Sequence, residues 1–403
     1  MRIVYVQQLL ILPGMSGNQR CWDMAQSWAR AGHDVHFLTS DAHFPPTHPW
    51  KGGGQFEKDG IKLQVLPVPY DHQMGFLRRS VSFVDFYRKA LAAPLSFSSP
   101  DVVLAYTAPL SVGELGRRLA ARWKCPFVLE VADVWPDVPI GMGILPQKGL
   151  GNWLIGRSEK IYQAARHIMC FSEDMQTQIA GHGVEMNKIR VVHNGVTLDR
   201  VPFQARQQNG KTEVLYAGTF GKANGVGQIV EAAKIISEQG RDDIHFRLIG
   251  DGNEAAMVKA RIDSLKLKNV SLHAKVPKEK VASILAGADI GLISFAPFPV
   301  LEANAATKFY DYLASGLPTV INYQGWQARY LREYQCGLSC VQGDPEAFAG
   351  AILRLADDPA LRKQMGRNGR RLAEEQFDRN ILAVIALQLL EQSIANYHSV
   401  SPH

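Results

Sequence analysis

A chain of 403 residues with a formal net charge of +6 is too long for one ordinary hydrophobic core and predicts two domains. Its 46% apolar and 20% charged content belongs to a globular protein and excludes a disordered or low-complexity chain. The mildly basic balance suits an anionic substrate or an anionic membrane surface. With no long block of lysines and arginines, a nucleic-acid partner is not expected.

In chain order, the opening "MRIVYVQQLLILPG" is interrupted by Gln7 and Gln8 and is followed by no small-residue cleavage site, so it reads as a strand and not as a signal peptide. Strands are predicted at "RIVYV", "DVHFLTS", "IKLQVLPV", "DVVLAY", "PFVLEV", "HIMCFS" and "KIRVVHNG". Helices fit at "NQRCWDMAQSWARAG", "PLSVGELGRRLAARW" and "GNWLIGRSEKIYQAA", the first ending at Gly32. "FPPTHPWKGGG", residues 44–54, reads as a flexible loop. A polar stretch over residues 199–212 marks the expected boundary. Beyond it strands are predicted at "VLYAG", "HFRLIG", "VSLHAK", "IGLIS", "PTVIN" and "LSCV".

Strands alternating with helices mean a parallel sheet wrapped on both faces. The expected fold class is α/β: two doubly wound Rossmann-like domains, residues 1–198 and 199–378, facing each other across a cleft. Ligands are expected outside the carboxyl ends of the strands. The final helix, about residues 379–403, has no strand after it and is expected to pack back on the first domain. The five cysteines (Cys21, Cys125, Cys170, Cys336 and Cys340) are scattered. They read as reduced buried thiols, since Cys336 and Cys340 lack the second Cys/His pair of a zinc site. No window approaches 18 uninterrupted apolar residues, so no spanning helix is predicted. The expected location is cytoplasmic, or peripheral at the inner face of a membrane.

The first stretch with chemistry in it is "LYAGTFGKANGVGQ", Leu215 to Gln228. An apolar strand feeds Gly218, Gly221, Gly225 and Gly227, with Lys222 among them and a helical pattern after them. Glycines let backbone N–H groups approach anionic oxygens, and the helix adds its positive end. The ATP template fails: Ala223 follows Lys222 where Ser or Thr is needed, and Tyr216 holds the place of the first glycine. G-x-G-x-x-G is absent, and "GDGNEA" (Gly250 to Ala255), a G-x-G-x-x-A match, reads as a plain strand-to-helix turn. A nucleotide-phosphate site remains, in which Lys222 would neutralise a departing diphosphate.

The second stretch is "APFPVLEANAATKFYDYLASGLPTVIN". Glu302 and Asp311 bracket the turn "ANAAT", and a helix begins near Thr307 with Asp311 about one turn further on. Phosphate oxygens fit that helix N-terminus, and ribose hydroxyls fit the carboxylate. Together with "GMSGNQR", "ARAGHDVHFLTS", "PFVLEVADVWPDVPIGMGIL", "FSEDMQTQI", "IRVVHNGV", "YAGTFGKANG", "RLIGDG" and "ADIGLIS", in this order over nearly the whole chain, the pattern resembles the retaining glycosyltransferases of family 4, which have the GT-B fold. It is most similar to bacterial surface-polysaccharide members with a D-x-W-P-[DE] segment, here Asp133 to Asp137.

The resemblance implies a metal-independent transfer with no cofactor. Its partners would be a nucleotide sugar, with UDP favoured, and a saccharide or lipid-linked acceptor. It implies catalytic roles for Glu302, facing the donor sugar hydroxyls, and for Lys222. Asp311 would bind ribose. Asn304 would be a further donor-binding residue, and the backbone of Ala305, Ala306 and Thr307, with Gly221, Lys222 and Lys308, would hold the diphosphate. Val276 would lie by the base, Gly17 and Asn18 would approach the phosphate from the first domain, and Asp133 and Trp135 would lie on the acceptor side. In such retention the leaving phosphate oxygen takes the acceptor proton, so no strong protein base is needed. The sequence departs from the pattern in three places. The phosphate pattern G-R-x-x-x-x-K-G lacks its Arg and has its Lys shifted, the usual ribose Glu is Asp311, and the two acids are one position further apart than is usual.

Two other functions stay open, a sugar-nucleotide epimerase of the same fold and a non-catalytic sugar-nucleotide-binding subunit. His193 reads as structural. Residues 76–93 form a basic amphipathic pattern, with Arg78, Arg79, Arg88 and Lys89 on one side and Phe76, Leu77, Phe83, Val84, Tyr87, Ala90 and Leu91 on the other. The favoured reading places that apolar side against the sheet. The alternative is peripheral contact with an anionic bilayer.

Overall fold

The strands are β1 (Arg2–Val6), β2 (Asp34–Ser40), β3 (Gly54–Lys58), β4 (Ile61–Leu66), β5 (Val102–Thr107), β6 (Phe127–Val131), β7 (His167–Cys170) and β8 (Ile189–Val191), then β9 (Thr212–Ala217), β10 (Ile244–Ile249), β11 (Val270–His273), β12 (Ile290–Ile293), β13 (Thr319–Ile321) and β14 (Gly337–Ser339). They come from a computed structural model that describes residues 1–15, 17–70, 74–94, 99–107, 109–203 and 210–400. The first eight form one sheet in the order β3-β4-β2-β1-β5-β6-β7-β8, and the last six form another in the order β11-β10-β9-β12-β13-β14. Every pairing is parallel except β3 with β4. Continuous apolar runs such as "FVLEV" and "IGLI" follow from this, because a parallel strand is covered on both faces and each of its residues is buried.

Strand order reverses once in each sheet, between β1 and β5 in the first and between β9 and β12 in the second. Loops leaving the carboxyl ends of strands diverge at such a point and leave room for a ligand. The second sheet is held by Val214, Tyr216, Ile229, Ala233, Phe246, Leu248, Leu292, Val320, Phe348 and Ile352, all fully buried.

Contacts divide the chain into two units. The first comprises Met1–Pro13, Asn18–His193 and the chain from Asn380 onward, and the second comprises Gly14–Gly17 and Asn194–Arg379. The last helix, Arg379–Val400, lies on the first unit. Trp28 Nε1 donates to Ala383 O at 2.8 Å, Arg166 donates to Asn396 O at 3.0 Å, and His167 Nδ1 is 2.7 Å from Ser393 Oγ. All five cysteines are buried, and none is in a disulfide.

Two expectations need correction. Residues 44–54 do not stay a loop to their end, because Gly54 opens β3, an exposed antiparallel edge strand whose polar "GQFEK" carries almost no apolar alternation. The helix Phe76–Ala92 buries Ser82, Phe86 and Ala90, while Leu77, Val81 and Val84 are 78%, 69% and 54% exposed. The arc that meets the sheet is therefore not the one expected. The helix has apolar residues on both sides, and hydrophobicity alone does not choose between them.

Helix ends supply a simple stability test. The Asp344 carboxylate caps the helix Pro345–Asp357 by accepting from Ala347 N at 2.8 Å. Asp344→Ala is expected to cost about 1 kcal/mol in urea unfolding, seen as a lower midpoint with an unchanged slope.

Candidate nucleotide-phosphate site

The loop after β9 and the segment after β12 are tied together at the reversal point of the second sheet. Ala296 N donates to Ala223 O at 2.9 Å, and Ser294 Oγ donates to Gly225 O at 3.1 Å. Buried Asn322, just past β13, accepts from Phe295 N at 2.8 Å and donates to Gln228 Oε1 at 2.8 Å, and Gln228 donates in turn to Phe295 O at 3.2 Å. Gln228 lies in the first turn of the helix Gly227–Glu238. One polar network thus fixes the glycine loop against the ends of β12 and β13, and a buried network with its members satisfied holds a single geometry.

Glu302 sits in the 3-10 turn Pro299–Ala303, half-buried, and its Oε1 accepts from Gln324 N at 3.3 Å. Its backbone is fixed from behind by Gly325, where a Cβ would lie 1.9 Å from Glu302 O, so only glycine allows this approach. The helix Thr307–Ser315 follows, and no side chain caps its N-terminus. The first N–H groups of such a helix carry partial positive charge and lack intrahelical partners. The segment before it is clamped from three sides. Trp326 Nε1 donates to Asn304 O at 3.1 Å, Gln327 donates to Ala306 O at 3.4 Å, and Asn194 donates to Thr307 Oγ1 at 3.3 Å. Ala305 and Ala306 are half-buried in this clamp, and Asp311 is half-buried one turn along the helix.

The two candidate lysines differ. Lys308 is half-buried, with Nζ 4.0 Å from the centre of the Tyr216 ring. Burial away from water holds its amine down at about 7. Lys222 is exposed and stands 6.0 Å from the Phe298 ring centre. Gly221 is half-buried beside it. Val276 lies just past β11 and is half-buried, at the same carboxyl edge of the sheet. Sequence reasoning passed over Tyr216, Gln228, Asn322 and Gln324. Their signal is a polar group at or just past the carboxyl end of an apolar strand, or in the helix turn that follows it.

In the loop after β1, Gly17 is exposed with φ +130° and groups with the second unit, not the first as expected. In the first unit, Asn18 Oδ1 accepts from Arg20 N at 3.1 Å at the start of the helix Arg20–Arg30. Asp133 follows β6, and burial raises its carboxyl to about 6. No cation pairs with it among the described residues. On β6 itself the fully buried Glu130 pairs with Arg20 at 3.0 Å and accepts from the Tyr5 hydroxyl. Trp135 is half-buried, Asp137 pairs with His182 at 3.1 Å, and His193 Nδ1 lies 2.9 Å from Phe171 O. Among the described residues no group of three or more His, Cys, Asp or Glu is arranged to hold a metal ion.

Two doubly wound, largely parallel sheets in one chain, each with a single reversal point, define the GT-B class of fold. Residues 17–195 match the model of the glycosyl transferase 4-like domain, and residues 199–372 match that of glycosyl transferases group 1. The chain belongs to these glycosyltransferases. It is similar to N-acetyl-alpha-D-glucosaminyl L-malate synthase of Bacillus anthracis, 24% identical over 381 residues that cover 88% of each chain. Its fold is similar to that of sucrose-phosphate synthase from Thermosynechococcus elongatus, with a TM-score of 0.78 at 18% identity over 98% of this chain and 99% of that one. It is also similar to Anabaena HepE in complex with UDP and glucose, with a TM-score of 0.70 at 15% identity over 97% and 100% of the two chains.

Proposed function

We propose that this glycosyltransferase moves a sugar, with retention of configuration, from a nucleotide diphosphate sugar to a saccharide or lipid-linked acceptor in polysaccharide or glycoconjugate synthesis, without a metal or other cofactor. UDP is the favoured nucleotide. The observation that carries this reading is the convergence of four features at one sheet edge: the glycine loop, the uncapped N-terminus at Thr307, Lys308 and Glu302. Support comes from the similar fold of HepE, whose structure contains UDP and glucose.

In this reading the diphosphate lies on the backbone of Ala305, Ala306 and Thr307 with Asn304, Gly221, Lys222 and Lys308 around it. Glu302 meets the donor sugar hydroxyls and Asp311 the ribose. Val276 lies by the base, Gly17 and Asn18 contribute from the loop after β1, and Asp133 and Trp135 face the acceptor. Preorganised donors at the leaving diphosphate lower the barrier as its charge develops. The test is incubation with a UDP-sugar, with and without an acceptor pool. Acceptor-dependent UDP release with an α-linked product from an α-linked donor supports the proposal. Isomerised donor without an acceptor favours the epimerase, and binding without any turnover favours the non-catalytic subunit.

A second reading rests on the exposed stripe Leu77, Val81 and Val84, with exposed Arg78 and Arg88 beside it. We propose that this helix face makes peripheral contact with an anionic bilayer at the inner face of the membrane. Apolar side chains would enter the headgroup boundary and the cations would meet lipid phosphates. No helix among the described residues is long and apolar enough to cross a membrane. Replacing all three apolar residues with serine is expected to lower co-sedimentation with anionic vesicles about tenfold and to leave the melting temperature unchanged. Equal sedimentation of both proteins contradicts this contact.

A further inference from the structure

A position that looks vacant in the glycine loop is filled from another element. The phosphate pattern carries an arginine after its first glycine, whereas here Thr219 follows Gly218. Thr219 instead fixes Tyr216, whose hydroxyl donates to Thr219 O at 2.8 Å. On the face of that ring lies the Lys308 ammonium, 4.0 Å from its centre, delivered by the helix Thr307–Ser315. A Cβ on Gly218 would stand 2.6 Å from Lys308 Nζ and 2.8 Å from its Cε, so the lysine occupies the space that a side chain at 218 would need.

We infer that Gly218 stays bare so that Lys308 can rest against the glycine loop, and that Lys308, more than Lys222, is the cation that anchors the donor diphosphate. The group facing it is the phenol of Tyr216 from β9; Tyr312, one turn further along the same helix, has its hydroxyl engaged with Ala217 N at 3.1 Å. Among the described residues no carboxylate lies within ion-pair distance of Lys308, and that includes Glu302 before it and Asp311 after it. An ammonium over a π-face, without a counter-ion and partly withdrawn from water, is undercompensated. A diphosphate supplies the missing charge. Burial adds to this by keeping the amine ready to change protonation when an anion arrives. Lys222, exposed at the loop tip, interacts through water, where one ion pair contributes little.

This inference rests on the nucleotide-sugar reading above and deepens it. Its test uses the gentleness of one substitution. Gly218 has no left-handed φ, and the next neighbour of a Cβ there, the Tyr216 hydroxyl, is at an ordinary 3.4 Å. Gly218→Ala therefore displaces only the flexible end of Lys308. UDP-sugar dissociation constants are measured by calorimetry on the full chain, with melting temperatures as the check on folding. Lys308→Met is expected to weaken binding about 10- to 100-fold, Lys222→Met less than about threefold, and Gly218→Ala about tenfold. The double variant should bind no worse than Lys308→Met alone, because the glycine acts through the lysine. If Gly218→Ala weakens binding equally with Lys308 absent, or if Lys222→Met has the larger effect, the inference is overturned. If the wild-type chain binds no nucleotide sugar, the broader reading itself fails.

Discussion

Glu302→Ala is expected to slow sugar transfer about 10²- to 10³-fold, the scale for removing one preorganised polar contact to a reacting group. The same substitution should raise the donor dissociation constant less than about tenfold, because the diphosphate contacts remain in place. Glu302 makes one modest hydrogen bond within the fold, to Gln324 N at 3.3 Å, and it is half-buried. Thermal unfolding should therefore change little. Steady-state kinetics with saturating donor separates the two effects. A rate loss with retained binding supports a contact to the reacting sugar, whereas equal losses in rate and affinity would make Glu302 a binding residue only. Unchanged turnover would remove it from the site.

Donor affinity is expected to fall as pH rises above about 7, by about tenfold per unit over one to two units. The cause is Lys308, whose amine burial holds down at about 7 in the free protein. A diphosphate beside it favours the charged form, so its pKa is higher in the complex. Binding then takes up a proton. Affinity is full below the free-state value and is lost as pH climbs from there toward the bound-state value. The diphosphate of a nucleotide sugar is esterified at both ends and keeps its charge over this range, so the slope reports the protein. Calorimetric titration of a UDP-sugar between pH 6 and 9 measures it, and Lys308→Met should give a flat profile at low affinity. A flat profile in the wild type would assign the anchor to another group.

Most of the architecture is legible in the sequence, because parallel strands announce themselves as apolar runs between helical patterns. "VLYAG", "HFRLIG" and "IGLIS" fall on β9, β10 and β12. Edge strand β3 is hidden, since "GQFEK" is polar on both sides and makes its pairing with backbone groups alone. The helix Phe76–Ala92 is legible as a helix but not in its facing: Ser82 is buried where Leu77 and Val81 are exposed. At the candidate site, the glycine loop, the segment after β12 and the helix start at Thr307 can be read from glycine, lysine and carboxylate spacing. The partnership between Lys308 and Gly218 cannot, because it depends on tertiary approach between distant segments. The same holds for Asn322 and Gln228, whose side chains bond to each other across the sheet edge. Sequence spacing favours Lys222 as the phosphate cation because it lies inside the loop, while the three-dimensional arrangement favours Lys308.

The cradle built on β9, β12 and the helix at Thr307 is proposed to bind the diphosphate of a nucleotide sugar. A thermal-shift screen of UDP-, GDP- and TDP-sugars against the full chain tests it most directly, because a ligand bound only by the folded state raises the melting temperature. A dose-dependent rise is expected with at least one of these sugars, UDP-linked ones first, and it is lost in Lys308→Met. No shift with any of them, at concentrations up to the millimolar range typical of weak substrates, would contradict it.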